Sequence, residues 1–270
     1  RGCPHNNCCF CGMYKGVPYQ ERAVSAVIAE VEAAVRRDPG IERVFLADGD
    51  GMYLQFAILH DLLTRLNAVV PRLKRVGIYA NGSSICSKSS MELVALRQLK
   101  LHTLYMGLES GDAAVLARAG KTDSVAAMIE GCRRAQDCGL RLSVMVLIGL
   151  GGRSHSTEHA LATARAVNAM QPRLLSFLRL SVVANTPLAS SVDRGEFRLL
   201  SEYGVIAEMR QLLAQLELSR CVFRANHASN LVALEGRLPH DRSLLVSQLD
   251  TLLASGRLDR DAPPLMPPWL

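Results

Sequence analysis

A chain of 270 residues, 49% of them hydrophobic, is long enough to bury one sizeable core. No apolar run reaches the roughly 18 residues a membrane-crossing helix needs, which argues against a spanning protein. The formal charge of +6 is spread along the chain, so it favours an anionic partner only weakly and does not indicate nucleic-acid binding.

The first residues, Arg1-Gly2-Cys3, read as the start of a piece of a longer chain, which leaves a targeting segment ahead of them open. Four of the eight cysteines, Cys3, Cys8, Cys9 and Cys11, fall within these first eleven residues. A disulfide scaffold would spread its cysteines through a short chain. A cluster at one end points instead to a metal site in a reducing compartment, which we take as the cytoplasm.

Helical periodicity over residues 20–37 puts Val24, Val27, Ile28, Val31 and Val35 on one face, and Asp38-Pro39-Gly40 ends that helix. A β run at 43–47 follows, closing on Asp48-Gly49-Asp50-Gly51. The next helix, 54–70, ends at Pro71. A strand at 76–80 leads into Asn81-Gly82-Ser83-Ser84, and 91–99 is helical. The strand at 103–108 runs into Glu109-Ser110-Gly111, with helical segments at 113–119 and 124–138. A strongly apolar strand, 142–148, ends in Gly149-Leu150-Gly151-Gly152. Then come a helix at 157–170 and a long final strand at 174–183. Asn185-Thr186-Pro187-Leu188 reads as a turn, 202–218 as a helix, 221–233 as extended and 244–253 as a helix. The proline-rich end (Pro263, Pro264, Pro267, Pro268) reads as irregular.

Strands alternating with helices are the signature of βαβ units, whose right-handed crossovers make the sheet parallel. In such folds sites form at the carboxyl ends of strands. The polar and glycine-rich segments fall there, apart from the cysteine cluster.

Cys3, Cys8 and Cys11 are spaced C-x4-C-x2-C, with Phe10 just before the last cysteine. Three thiolates are one short of a closed tetrahedral zinc site. They suit an iron–sulfur cluster with one iron left for a non-protein ligand. Cys9, adjacent to Cys8, reads as a spare thiol. At these residues the chain resembles the radical S-adenosylmethionine (SAM) superfamily, whose usual loop is C-x3-C-x2-C with an aromatic residue before the last cysteine. Gly12-Met13-Tyr14 and Glu21-Arg22 are similar to a branch of uncharacterised iron–sulfur oxidoreductases, related to the oxygen-independent coproporphyrinogen dehydrogenase and Elp3-like group.

The resemblance implies an α/β fold, a partial (β/α)6 TIM-like barrel of parallel strands whose first strand lies ahead of Cys3, outside this chain. Residues 1–190 would form the barrel and 191–270 a helical and extended extension closing it. Cys3, Cys8 and Cys11 would ligate a [4Fe-4S] cluster, and SAM would chelate its open iron. One electron, from a donor such as flavodoxin or ferredoxin, would cleave SAM to a 5′-deoxyadenosyl radical that abstracts hydrogen from an unidentified substrate.

The same resemblance distributes SAM contacts over the strand ends. Asp48-Gly49-Asp50 stands where the superfamily holds the methionine amino group, with Gly49 giving room and Asp50 accepting from the ammonium; the plain alternative is an ordinary turn. Glu109 would bond the ribose hydroxyls and Lys121 the SAM carboxylate, against a helix-end charge and a solvated lysine. Asn81 and Ser83 are candidate SAM or substrate ligands that turn chemistry explains equally well. Ile148 and Leu150 would pack beside adenine. The glycines after Ile148 do not make a phosphate loop, because no Lys-Ser/Thr pair follows in that pattern.

Arg224, Asn226, His227 and Asn230 are candidate substrate contacts at the barrel mouth, although His227 also fits a structural role. His155 and His159 lie four apart near a helix start and lack a third ligand for a metal. Two other readings stay open. One is a zinc-binding interaction module with His5 as fourth ligand. The other is a homologue that binds SAM without turning it over.

Overall fold

The computed structural model describes residues 1–265. Short apolar runs bounded by turn residues become strands, and amphipathic runs become the helices between them. In chain order these are α1 (Val24–Arg37), β1 (Arg43–Leu46), α2 (Phe56–Val69), β2 (Arg75–Tyr79), α3 (Gly82–Cys86), α4 (Ser90–Gln98), β3 (Leu101–Glu109), α5 (Ala113–Arg118), α6 (Val125–Asp137), β4 (Arg141–Ile148), α7 (Ser156–Met170), β5 (Leu174–Arg179), α8 (Pro187–Asp193), α9 (Glu202–Ala214), β6 (Cys221–Arg224), β7 (Glu235–Leu238) and α10 (Arg242–Ala254). A short 3-10 turn covers Gly51–Tyr53.

One seven-stranded sheet carries the strands in chain order, β1 to β7. β1 pairs with β2, β2 with β3 and β5 with β6 in parallel, whereas β6 and β7 are antiparallel. No pairing joins β7 back to β1 among the described residues, so the sheet is open. This is the α/β, mostly parallel architecture expected for a partial barrel.

Contacts divide the chain into two compact units. The first comprises residues 1–6, 14–106 and 126–143. Its core is Leu59, Leu63 and Leu66 of α2, Val76 and Ile78 of β2, Leu93 and Leu96 of α4, and Leu101 and Leu104 of β3, all fully buried. Each such side chain contributes about 1.5–3 kcal/mol by leaving water. Two glycines bring α3 against α6. A Cβ on Gly82 would lie 2.4 Å from the Ala127 carbonyl oxygen, and one on Gly131 2.8 Å from the Gly82 Cα. Arg134 of α6 donates to the Cys86 and Lys88 carbonyls at 3.0 and 2.8 Å, satisfying the end of α3.

The second unit comprises residues 7–13, 107–125 and 144 onward. Phe177 of β5 and Phe223 of β6 pack edge to face, ring centroids 4.9 Å apart. Arg210 of α9 grips Asp250 of α10 through two bonds of 2.8 and 3.1 Å.

Three local expectations are corrected here. The last long strand stops at Arg179 rather than running to 183. The segment expected as a turn at 185–188 is instead the start of a helix: Thr186 caps α8 by accepting from the Ala189 N–H at 3.2 Å, and Pro187 takes its first turn. Proline is preorganised for that position and its missing N–H costs nothing there. The extended stretch at 221–233 is only four residues of strand, followed by β7, which Glu-Gly-Arg-Leu did not advertise because it lacks apolar alternation. Pro263 and Pro264 are irregular as expected; Pro267 and Pro268 lie outside the described residues.

Candidate active site

In the first unit, Cys3 and the end of β1 meet. A Cβ on Gly49 would sit 2.4 Å from Cys3 Cβ and 2.6 Å from its Sγ, so only glycine leaves the cysteine where it is. The Gly49 N–H donates to the Gly2 carbonyl at 3.1 Å, and the Asn6 N–H points at Cys3 Sγ at 3.4 Å. An N–H aimed at sulfur is suited to a thiolate that ligates a metal. Tyr14 donates to Asp48, and burial first, then the Asp48 charge, pushes its phenol up to about 12.

Asp50 is the polar hub of this unit. It is 3% exposed. Its Oδ2 lies 3.0 Å from His5 Nε2 and 3.3 Å from Asn81 Nδ2, and its Oδ1 accepts from Ser84 Oγ at 3.0 Å. A carboxylate has about four lone-pair sites. Three are used within the protein, and the side chain itself is fully buried. Lys88 is buried nearby and donates to the Met52 carbonyl at 2.6 Å. Burial lowers its pKa, with the Asp50 charge acting against that shift. Ser84 is buried and joins this hub, while Ser83 beside it is exposed. The Asn-x-x-Ser spacing carried that signal: Asn81 caps α3, and its N–H donates to Ser84 Oγ at 3.0 Å.

In the second unit, the Cys11 N–H donates to the Cys8 carbonyl at 3.3 Å, closing a turn over the C-x2-C pair. Cys9 is pinned by its backbone, donating to the Ala119 carbonyl at 2.8 Å and accepting from the Leu188 N–H at 3.0 Å. The side chains of Cys9 and Phe10 pack against Val115, Ala119, Leu150, Leu180 and Leu188. The aromatic residue before Cys11 thus anchors the loop in an apolar cluster. None of the eight cysteines is in a disulfide, and Cys3, Cys8 and Cys11 are each half-buried.

Glu109 has φ +61°, a left-handed conformation uncommon for a residue with a side chain. Its carboxylate folds back over Gly107: a Cβ there would meet Glu109 Oε1 at 2.0 Å and Lys121 Nζ at 3.6 Å. The structure thus brings Glu109 and Lys121 together. Desolvation raises the Glu109 pKa and the Lys121 charge partly offsets it. The residue as a whole is half-buried.

Ile148 is fully buried in the strand core, and alternation along β4 leaves Met145 and Leu147 on the half-exposed face. Leu150 is 5% exposed within the cluster that receives Phe10.

The late polar segment divides in two. Arg224, Asn226 and His227 are exposed. Asn226 Nδ2 reaches Glu235 at 3.4 Å, and His227 Nδ1 lies 2.9 Å from Ser229 Oγ, a local structural bond. Asn230 is held at β5, donating to the Phe177 carbonyl at 2.8 Å, while its buried Oδ1 has no partner in the structure. Sequence reasoning missed Arg179 of β5, whose N–H and side chain bond Ser229.

Among the described residues no three His, Cys, Asp or Glu side chains converge on one point as a mononuclear site requires.

The radical SAM superfamily model matches residues 1–164, more than half of the chain. The chain belongs to the radical SAM superfamily. Members of that superfamily are enzymes that use a [4Fe-4S] cluster and SAM. No curated protein matches the sequence.

Solved structures share the fold at low identity. Coproporphyrinogen III oxidase from Escherichia coli, a radical SAM enzyme, superposes with a TM-score of 0.60 at 17% identity, covering 80% of this chain and 51% of that one. The radical SAM methyltransferase TsrM from Kitasatospora setae, solved with cobalamin and a [4Fe-4S] cluster, gives 0.59 at 19% identity over 72% of this chain and 38% of its own. Elp3 from Methanocaldococcus infernus gives 0.54 at 14% identity over 87% and 60%. The chain spans less than two thirds of each of these proteins.

The half-buried thiols outside any disulfide, the N–H on Cys3 and the cradle at Gly49 fit a cluster. Gly49→Ala is expected to displace Cys3 and lower the iron bound per chain after anaerobic reconstitution, with melting temperature as the control for folding. Unchanged iron content would show that Cys3 has room to move.

Proposed function

We propose that Cys3, Cys8 and Cys11 hold the [4Fe-4S] cluster and that the chain reductively cleaves SAM to start hydrogen abstraction from a substrate. When bound, the cluster supplies one electron that breaks the S–C5′ bond of SAM, leaving methionine and a 5′-deoxyadenosyl radical that takes the hydrogen. The observation that carries this reading is the packed C-x4-C-x2-C loop, with Phe10 seated in an apolar cluster beside Leu150.

The chain's own residues bind and orient. Asp50, held by His5, Asn81 and Ser84, is the acidic group we assign to the SAM ammonium. Asn81 and Ser84 hold that carboxylate rather than contacting ligand themselves. Glu109 accepts from ribose hydroxyls, and Lys121 beside it neutralises the SAM carboxylate. Leu147 and the backbone around Gly149 serve adenine in place of Ile148. Arg224, Asn226 and His227, exposed at the end of β6 and just after it, and Asn230 beside them are the groups we assign to substrate. The electron donor is a flavodoxin or ferredoxin. Eight cysteines with no disulfide among them suit a reducing compartment, the cytoplasm. No helix is long and apolar enough to cross a membrane.

Anaerobically reconstituted protein is expected to be brown, to absorb near 400 nm, and to release 5′-deoxyadenosine from SAM with dithionite. A colourless zinc-loaded protein would overturn the proposal in favour of an interaction module. An iron-loaded protein that binds SAM without releasing 5′-deoxyadenosine would be a homologue without turnover.

A further inference from the structure

Behind the β3 and β4 ends lies a polar chain that the reaction does not use. Ser110, His159, Thr163 and Glu208 are each at most 1% exposed. Ser110, immediately after Glu109, places its Oγ 2.7 Å from His159 Nδ1. The other ring nitrogen, Nε2, lies 3.2 Å from the Leu147 carbonyl and 3.5 Å from Glu208 Oε1. A carbonyl only accepts, so Nε2 carries the ring proton toward Leu147 and Nδ1 accepts from the serine. Glu208 Oε1 accepts from the Gly149 N–H at 2.6 Å, and Oε2 from Ser156 Oγ at 2.5 Å.

Gly149 has φ +92°, so its N–H leaves the regular pairing of the strand, and a side chain from α9 receives it. Gly111, next to Ser110, donates to Thr163 Oγ1 at 2.8 Å, and a Cβ on it would lie 2.3 Å from the Ala162 carbonyl. Two loops bearing unusual backbone are thus tied to α7 and α9 by side chains with almost no freedom to move. A packed apolar side chain would serve a merely structural core at lower cost than a buried carboxylate and imidazole.

We propose that Glu208 and His159 are positioning residues, fixing the backbone of the β3–α5 and β4–α7 loops in the arrangement that receives the SAM nucleoside. This rests on the reading that Glu109 and the Gly149 loop bind SAM. His159 sets the loop that presents Glu109. Glu208 sets the backbone that faces adenine. A glutamine at 208 can reproduce the geometry, its Oε1 accepting from Gly149 and its Nε2 donating to Ser156 Oγ. Alanine cannot.

SAM binding to reconstituted wild type, Glu208→Gln, Glu208→Ala and Ser110→Ala, together with amide hydrogen exchange around Gly149, tests the proposal. Glu208→Ala is expected to weaken SAM binding about tenfold or more, the loss of roughly one well-placed hydrogen-bonded anchor, and to speed exchange at Gly149. Glu208→Gln is expected to restore both. Ser110→Ala, a deletion of one oxygen that the fold tolerates, is expected to weaken SAM binding severalfold if the alanine at 208 prevents folding. Wild type that binds SAM while Glu208→Ala and Ser110→Ala bind it equally well would overturn the inference. Wild type that binds no SAM would overturn the functional reading itself.

Discussion

Cys8→Ala and Cys11→Ala are each expected to abolish the absorbance near 400 nm and all release of 5′-deoxyadenosine, while Cys9→Ala keeps both. The reason is local. The turn closed by Cys11 N–H on the Cys8 carbonyl sets the C-x2-C pair, and Phe10 between them is locked into the apolar cluster. A cluster held by three thiolates that loses one falls below the ligation it needs. Cys9 points its side chain into the apolar cluster, where alanine costs about 1 kcal/mol or less of packing. Iron analysis and chromatography of the dithionite reaction check all three variants together. A Cys9→Ala protein without iron would reassign the loop.

The second large effect concerns pH and stability. Burial pushes the Glu208 carboxyl up from 4.5 to about 7, against the bonds from Ser156 and Gly149. Burial also pulls His159 down from 6.5 to about 4, against the Leu147 carbonyl and the Asp112 charge. The 3.5 Å between them would serve an ion pair, but both are fully buried and the nearer carbonyl already takes the imidazole proton, so the neutral histidine is the form we favour.

Between pH 4.5 and about 7 the folded chain keeps a proton on Glu208 that the unfolded chain releases, so this group's contribution is full in acid and is lost as pH rises. Between about 4 and 6.5 the folded chain refuses a proton on His159 that the unfolded chain takes up, so that contribution is lost as pH falls. Each full shift corresponds to about 3 kcal/mol. In the wild type the two slopes oppose each other and largely cancel.

Glu208→Gln removes one slope and is expected to gain stability as pH rises from 4 to 6.5. His159→Phe removes the other and is expected to lose stability as pH rises from 4.5 to 7. Denaturant melts across pH 4 to 7.5 would show opposite slopes in the two variants. Equal slopes would mean that neither group titrates as burial dictates.

Much of this protein is written locally. The period of 24, 27, 28, 31 and 35 along α1, the glycine and acidic turns after β1, β3 and β4, and the C-x4-C-x2-C spacing all depend on residues close in sequence. They gave the order of strands and helices, the α/β class and the loop that the superfamily shares. Where chain ends of elements depend on a cap, the signal was also local but easily misread: Thr186-Pro187 marks a helix start, and Asn81-x-x-Ser84 a capping box. Glu208 had a sequence trace as well, an acid among Val205, Ile206, Met209 and Leu212 on the buried face of α9.

Only the tertiary structure decided what those residues touch. Gly149 and Glu208 are 59 residues apart, Ser110 and His159 49, and Asp50 and Ser84 34. No periodicity encodes such distances, because loop closure costs entropy that grows slowly with length and is repaid by whichever packing buries the most. The fold buried Ser84 against Asp50, turned Ile148 into the core and left Leu147 on the half-exposed face. It also made Asp50 the hub that gathers His5, Asn81 and Ser84. The cysteine spacing was a property of the sequence; the glycine that makes room for Cys3 and the carboxylate that holds Gly149 are properties of the fold.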